Sequence, residues 1–161
     1  MKLIRADKKM IPMLSEFADD VFIDYYKDLI GMDQSVYMTD LFLSEAAIED
    51  LMNKGAVFIL ATEDEKPVGF CEYIREDKRL FLSKLYAEKA HREKGIGKQL
   101  FLNCLQYAKD NGLESIYLTV NKYNIPSYEI YLHLGFKVVD AVVNDIGNGY
   151  VMDDYIMEYT I

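Results

Sequence analysis

The spacing of apolar residues predicts two amphipathic helices in the first third of the chain. Residues 8–23 and residues 40–54 both place apolar side chains three or four positions apart, as a helix with one buried face does. This face carries Met10, Leu14, Phe17 and Val21 in the first helix and Leu43, Ala47, Ile48 and Leu51 in the second. Gly55 stands where a glycine commonly ends a helix.

The rest of the chain consists of β-forming runs and two further helices. The runs are residues 2–6, 56–62, 68–75, 79–87, 115–120, 136–143 and 150–159; the helices are residues 96–111 and a short helix between Asn124 and Gly135. The order β-α-α-β-β-β-α-β-α-β-β predicts an α/β fold (α+β in some schemes) with a mixed, mostly antiparallel sheet of about seven strands and four helices. Because a helical crossover joins strands 79–87 and 115–120, we expect that pair to be parallel.

Composition and charge limit the classes of function. Hydrophobic residues make up 51% of the 161 positions, so we expect one folded domain over residues 1–161. The formal net charge of −9 repels nucleic acid and anionic lipid, and favours a cationic substrate. Cys71 and Cys104 lack the spacing of zinc or redox motifs, so we predict no metal and a reducing, cytoplasmic location. We find no signal or membrane-spanning segment and predict no membrane partner.

A glycine-containing loop before the 96–111 helix is the strongest chemical signal. Gly95 and Gly97 stand where a helix begins, and the free N–H groups of a helix start can hold a phosphate or pyrophosphate. Gln99 after Lys98 argues against a nucleotide-binding Walker A loop, and Leu100 argues against a dinucleotide fingerprint. The surrounding basic residues are Lys84, Lys89, Arg92, Lys94 and Lys98. A solvated helix start with incidental lysines remains the alternative.

Two segments together resemble a known family. Arg92-Glu-Lys-Gly-Ile-Gly97 is similar to the Q/R-x-x-G-x-G/A loop of the GCN5-related (GNAT) acetyltransferases, and Asn124 to Phe136 is similar to their N-x-x-A-x-x-x-Y-x-x-x-G-F element. The resemblance implies a GNAT-type sheet with a splayed parallel pair, and acetyl-CoA as co-substrate.

The resemblance also implies roles for individual residues. It implies that the backbone of the strand end pairs with the pantetheine arm, that the loop holds the pyrophosphate, and that Asn124 contacts the pantetheine. Tyr131 is implied as the acid that protonates the departing thiolate, although it could be one more core tyrosine. The implied cofactor-binding residues are Leu85, Tyr86, Ala87, Arg92, Glu93, Lys94, Gly95, Ile96, Gly97, Lys98, Asn124, Ser127 and Tyr131. Ser127 stands where the family usually has alanine.

Phe81 occupies the place where relatives often carry a glutamate, which argues against a carboxylate base on this strand. Glu72 on the preceding strand is a candidate base; an exposed strand carboxylate is the alternative, and a water chain or a neutral amine could serve instead. For His91 and His133 we favour a structural or solvent-facing role.

The resemblance implies that the first two helices and the last hairpin line the entrance for the acceptor, and these segments are rich in acidic residues. The substrate-binding candidates are Asp20, Asp24, Tyr25, Asp153 and Asp154, because acidic walls with aromatic faces suit an ammonium or polyamine. Residues 147–158 also resemble the closing hairpin of PaiA-type spermidine/spermine N-acetyltransferases. We therefore predict acetylation of a small cationic amine. Acetylation of a protein lysine or N-terminus, a non-catalytic CoA sensor, an acidic solubility surface and a homodimer are left open.

Overall fold

A computed structural model describes residues 1–91 and 94–161, and over these residues the chain forms seven strands and five α-helices. The strands are β1 (Lys2–Arg5), β2 (Val57–Glu63), β3 (Lys66–Glu76), β4 (Arg79–Ala87), β5 (Ser115–Asn121), β6 (Lys137–Gly147) and β7 (Tyr150–Thr160). The helices are α1 (Ile11–Ile30), α2 (Met32–Phe42), α3 (Glu45–Asn53), α4 (Ile96–Asp110) and α5 (Ile125–Leu134). Short 3-10 turns precede α1 and follow β4.

All the strands lie in one sheet, in the order β1-β2-β3-β4-β5-β7-β6. The α/β prediction and the parallel pair are confirmed, since β4 and β5 run parallel while the other neighbours run antiparallel. The parallel pairing covers only three positions and ends at Phe81 opposite Tyr117. Beyond this point the two strands are no longer paired with each other, so the sheet opens between them.

Two apolar cores cover the two faces of the sheet. The α4 face is built around Leu100, Cys104, Ile116, Phe136 and Met157, all of which are buried. The opposite face packs α1, α2 and α3 over Leu14, Ile48, Phe58 and Phe70. Among the described helices, none is both long and apolar enough to cross a membrane.

The helical region before β2 differs from the prediction. The first helix continues to Ile30, and a further helix, α2, follows Gly31, so the described chain has five α-helices rather than four. Gly31 separates α1 from α2 with a φ of +89°, a conformation that glycine adopts without steric cost. The buried face of α2 includes Ser35 and Thr39, whose hydroxyls donate to backbone carbonyls three or four residues earlier. These polar positions hid the helical periodicity from a hydrophobic pattern.

Candidate active site

The opening between β4 and β5 contains a large cleft. The cleft has a volume of about 750 Å³ and lies between the end of β4, the start of α4, helix α5 and the second half of α1. Leu85, Tyr86 and Ala87 line it from β4, and Asn124, Ser127 and Tyr131 line it from the α5 side. The end of β4 and the start of α5, which are about 40 positions apart in sequence, therefore face each other across the cleft. The cleft exists because β4 and β5 diverge.

The start of α4 forms one end of this cleft. Gly95 precedes the helix with a φ of +76°, and Gly97 and Lys98 line the cleft wall. A Cβ at Gly95 or Gly97 would find no other atom within 4 Å, so both glycines face open space. Because the first N–H groups of a helix lack intrahelical acceptors, this end suits an anionic group. The predicted loop residues Arg92 and Glu93 lie outside the described residues.

Lys84, Lys89 and Lys98, which the structure describes, lie in three different surroundings. Lys98 lines the cleft, whereas the Lys84 ammonium lies 3.3 Å from the Glu72 carboxylate on the neighbouring strand. Glu72 and Lys84 face each other in the sheet, and Glu72 is only 1% exposed. Lys89 lies instead in a second surface cleft, which it shares with Asp20 and Asp24. Of these three described lysines, Lys98 alone lines the main cleft.

Tyr131 lies where the cleft narrows between the strands. Burial, with Tyr26 and Tyr25 nearby, raises the pKa of Tyr131 above its ordinary value. The phenol therefore stays protonated at neutral pH and can donate a proton or a hydrogen bond. Its position follows from the local sequence, because the Asn124 side chain accepts from the Ser127 N–H and begins α5, as predicted.

A tyrosine of α1 reaches across to α5. The Tyr25 hydroxyl donates to the Asn124 side-chain oxygen at 3.2 Å and forms a short hydrogen bond with the Ser127 hydroxyl. Tyr25, predicted on the substrate side, therefore lies at the main cleft. Ser127, where the family that the sequence resembles usually has alanine, supplies the hydroxyl for this contact, which joins two walls of the cleft.

Two smaller cavities continue from the cleft through the sheet. The first, which we call the throat, measures about 30 Å³ and contains Tyr131, Ser83 and Thr119 in its walls. The second, which we call the acceptor cavity, measures about 70 Å³ and lies on the α1–α2 side. Four residues line both the throat and the acceptor cavity: Tyr26, Ser83, Tyr86 and Thr119. Ser83 is the extra residue of a β-bulge in β4, opposite the step from Glu72 to Tyr73.

The acceptor cavity contains one buried acid, Asp154 of β7. Asp154 is 4% exposed, and burial, with the nearby negative charge of Asp153, raises its pKa to about 6, while Lys122 acts in the opposite direction. Asp153 points elsewhere, because successive side chains of a strand alternate between faces, and its carboxylate pairs with the Lys122 ammonium at 2.7 Å. The two adjacent acids therefore have different surroundings.

Helix α2 covers the acceptor cavity and is held to the closing hairpin. The Gln34 side-chain amide donates to the Val151 carbonyl at 2.9 Å, and the Tyr37 hydroxyl donates to the Ile146 carbonyl at 2.6 Å. Gln34 and Met38 line the cavity, together with Ile30 from α1. This arrangement makes the cavity narrow, since helices on one side and β7 on the other confine it.

Several predicted residues lie away from these cavities. Glu72 is not part of the walls of the cleft, the throat or the acceptor cavity. Its role as a base stays a prediction, and its ion pair with Lys84 argues against that role. Asp20 and Asp24 line the separate surface cleft beside Lys89. His91 lies between two carboxylates, Glu63 and Glu88, at 3.5 and 3.7 Å.

The sequence reasoning missed residues that the structure places at the centre of the site. Tyr26, Ser83 and Thr119 line both smaller cavities but carry no motif. Tyr26 follows Phe22 by four positions and precedes Ile30 by four, so an extended helical pattern could have placed it on the buried face of α1. Ser83 depends on a bulge that the sequence does not signal.

Comparisons with known proteins agree with this architecture. The model of the Acetyltransferase (GNAT) family matches residues 18–136. Human N-acetyltransferase 8 is 31% identical over 101 residues, covering 59% of this chain and 44% of that protein. Spermidine N(1)-acetyltransferase of Thermoplasma acidophilum is 28% identical over 109 residues, covering 68% of this chain and 67% of that protein. The chain thus spans about half the length, or less, of the human relative.

Solved structures share the fold over almost the whole chain. The PaiA N-acetyltransferase of Thermoplasma acidophilum, crystallised in complex with coenzyme A, superposes with a TM-score of 0.86 at 22% identity and covers 99% of this chain and 98% of that one. An aminoglycoside 6'-acetyltransferase type Ii superposes with a TM-score of 0.72 at 24% identity, covering 99% and 97%. At these identities the likeness demonstrates the fold, and it spans proteins named for different acceptors.

Proposed function

The chain belongs to the GNAT family of acetyltransferases, and from this premise we propose that it transfers the acetyl group of acetyl-CoA to a primary amine of a slender cationic substrate, with polyamines as the leading class. The observation that carries the proposal is that the large cleft, the throat and a narrow cavity containing a buried acid adjoin one another, because each shares wall residues with the next. Such an arrangement lets two substrates enter from opposite sides of the sheet and meet beside Tyr131. We assign this activity to one domain, residues 1–161, in the cytoplasm.

The cleft has the features that acetyl-CoA needs. Its walls are largely apolar, while the start of α4 and Lys98 offer N–H groups and a positive charge for a diphosphate at one end. Beyond Phe81, the edge of β4 that faces β5 is no longer covered by that strand, so Leu85 and its neighbours can pair with an extended amide-containing arm. We therefore assign the cofactor role to the residues that line this cleft, with Arg92 and Glu93 as predicted members.

The proposed chemistry is direct transfer in a ternary complex. The neutral amine, held in the acceptor cavity, attacks the thioester carbonyl that is presented through the throat, and a backbone N–H of β4 stabilises the oxyanion that develops. Tyr131, whose phenol is protonated at neutral pH, donates a hydrogen bond and then its proton to the departing thiolate. Positioning by the two cavities supplies much of the rate, since both substrates are held at a fixed approach.

The acceptor cavity favours a thin, flexible amine. Its volume of about 70 Å³ admits an aliphatic chain end but excludes a ring system at the reacting position. Asp154 provides a negative charge inside it, and the rings of Tyr26 and Tyr86 provide aromatic walls for an ammonium or its alkyl chain. The Thermoplasma relative is named as a spermidine N(1)-acetyltransferase, which is consistent with this choice of polyamines.

Two other functions make different predictions. Acetylation of a protein lysine requires an acceptor cavity open to a peptide on both sides of the side chain, whereas α2 is hydrogen-bonded over this one through Gln34 and Tyr37. A CoA sensor without turnover requires no acid for the leaving thiolate, whereas Tyr131 stands in the throat with its proton retained.

The test measures release of free thiol from acetyl-CoA with three groups of acceptors. These are spermidine and spermine, lysine-containing peptides of the same net charge, and an aminoglycoside. We expect turnover with the polyamines, at least about tenfold above the others in kcat/KM, which corresponds to roughly 1.4 kcal/mol. Faster turnover with the peptides would replace the proposal by protein acetylation. Calorimetric binding of CoA without turnover on any acceptor would favour the sensor.

A further inference from the structure

Asp154 is a buried carboxylate for which the described residues provide no hydrogen-bond or ion-pair partner. It is 4% exposed and lines the acceptor cavity. Among residues 1–91 and 94–161, no hydrogen bond or ion pair of the protein engages its carboxylate, and Asp154 lies in the wall of the cavity. A molecule bound in the cavity can therefore reach this carboxylate with an N–H group.

None of the described groups around Asp154 pairs with its carboxylate, so the space beside the carboxylate is open to the substrate. Lys122, in the connection between β5 and α5, is the cation that influences Asp154, but its ammonium lies against Asp153. Tyr26 approaches from α1, and burial raises its pKa to about 12. Asn121 on β5 and Val142 on β6 stand opposite Asp154 in the sheet, and neither carries a charge.

The other candidates for proton acceptor are less suitable. Glu72 is occupied by Lys84 and lies outside the three cavities. Tyr86 and Tyr26 line the path, but burial raises the pKa of both phenols, so they hold their protons at neutral pH. Asp154 is an acid that lines the acceptor cavity and loses its own proton below neutral pH.

We propose that Asp154 is the catalytic proton acceptor for the attacking amine, which deepens the proposed function and rests on it. As the amine nitrogen forms its bond to the acetyl carbon, one N–H proton passes to a carboxylate oxygen of Asp154. The carbon–sulfur bond breaks, and the sulfur takes the proton of Tyr131. Solvent then removes the proton from Asp154 and returns one to Tyr131, so the products are the acetamide and free thiol.

The experiment compares Asp154→Asn and Asp154→Ala with the wild type, using spermidine, across pH 5 to 9. We expect Asp154→Asn to lower kcat about 10² to 10⁴-fold, the usual contribution of a general base, and to remove the acidic limb of the kcat profile. The acidic limb of the wild type should lie near pH 6, because Asp154 must be ionised. Formate should restore part of the activity of Asp154→Ala, because it supplies a carboxylate in the vacated space, and chloride should not.

Controls distinguish folding and binding from chemistry. Glu158→Gln changes a carboxylate of the same strand outside the three cavities and should keep wild-type kinetics. Calorimetric affinity for CoA should be equal in all variants, which establishes that the fold is intact.

Three results would overturn the assignment to Asp154. One is an increase in KM alone in Asp154→Asn, with kcat and its acidic limb unchanged, and no effect of formate on Asp154→Ala. Asp154 would then only bind the ammonium. Another is loss of the acidic limb in Glu72→Gln but not in Asp154→Asn. The third is wild-type kcat in Asp154→Asn. If the wild type binds CoA but acetylates no amine, the proposed function fails first, and this assignment falls with it.

Discussion

The burial of Asp154 predicts that the wild-type protein is less stable than its Asp154→Asn variant at neutral pH. The ordinary pKa of this carboxyl is 3.8 and its value in the folded protein is about 6, so ionisation above pH 6 opposes folding. At about 1.4 kcal/mol for each pH unit, the cost of the charge reaches at most about 3 kcal/mol. Asparagine removes the charge but remains a buried polar group, so we expect a gain of about 1–3 kcal/mol.

The pH dependence of this gain tests its cause. Well below pH 3.8 the carboxyl is protonated in both the folded and the unfolded chain, so the two proteins should have similar stability there. Between pH 4 and pH 6 the unfolded chain loses this proton while the folded chain keeps it, so wild-type stability falls relative to the variant as the pH rises. Above pH 6 the difference should be constant.

The assay is urea unfolding of both proteins at several pH values, with Glu158→Gln as a matched control on the same strand. The free energy of unfolding is taken from the linear dependence on urea, with equal slopes required for the comparison. A variant that is less stable than the wild type at pH 7.5, or a gain that is already complete at pH 4, would refute the reasoning. A more stable but slower variant would indicate that the site retains a destabilising charge for function.

Three further predictions concern the cleft and the sheet. Tyr131→Phe should lower kcat at least about tenfold with little change in CoA affinity, because it removes a proton donor but keeps the ring; Tyr128→Phe on the same helix is the control, and equal losses in kcat and affinity would contradict the acid role. Gly95→Asp should weaken calorimetric CoA binding at least about tenfold by placing a negative charge at the helix start. Gly112→Asp, at the far end of α4 with a similar φ of +66°, should not weaken it, and equal losses would mean that backbone strain is the cause. Gly69→Ala should lower the free energy of unfolding by about 1–3 kcal/mol in urea, since its Cβ would lie 2.9 Å from both the Tyr86 carbonyl oxygen and a methyl carbon of Ile96; unchanged stability would mean that the sheet accommodates the methyl group.

The sequence predicted the elements whose signals are local. Strand Arg79–Ala87 was predicted with the bounds that the structure has, because polar turns border a run of β-forming residues. Asn124 begins α5 with its side-chain hydrogen bond, and Gly135 ends it in the left-handed conformation. Capping, turns and periodicity depend on residues within a few positions of one another, so they can be read without knowing the fold.

Helix α2 and the position of Glu72 show where local reading fails. The buried face of α2 includes Ser35 and Thr39, whose hydroxyls donate to nearby backbone carbonyls. Because these buried positions are polar, the sequence of α2 shows no continuous stripe of apolar residues. The sequence favoured an exposed strand carboxylate for Glu72 over a base, but its surroundings depend on the register that places Lys84 opposite it.

The glycine loop, the Asn124 cap and Tyr131 could thus be identified from the sequence alone, because each belongs to a short segment with its own pattern. Only the tertiary structure decided how Tyr26, Ser83, Thr119 and Asp154 meet, since they come from four different elements. It also separated two adjacent acids, directing Asp153 to Lys122 and Asp154 to the acceptor cavity. The physical reason is that the path through the sheet exists only because β4 and β5 stop pairing after Phe81, and that separation depends on the packing of distant helices and strands rather than on any one segment.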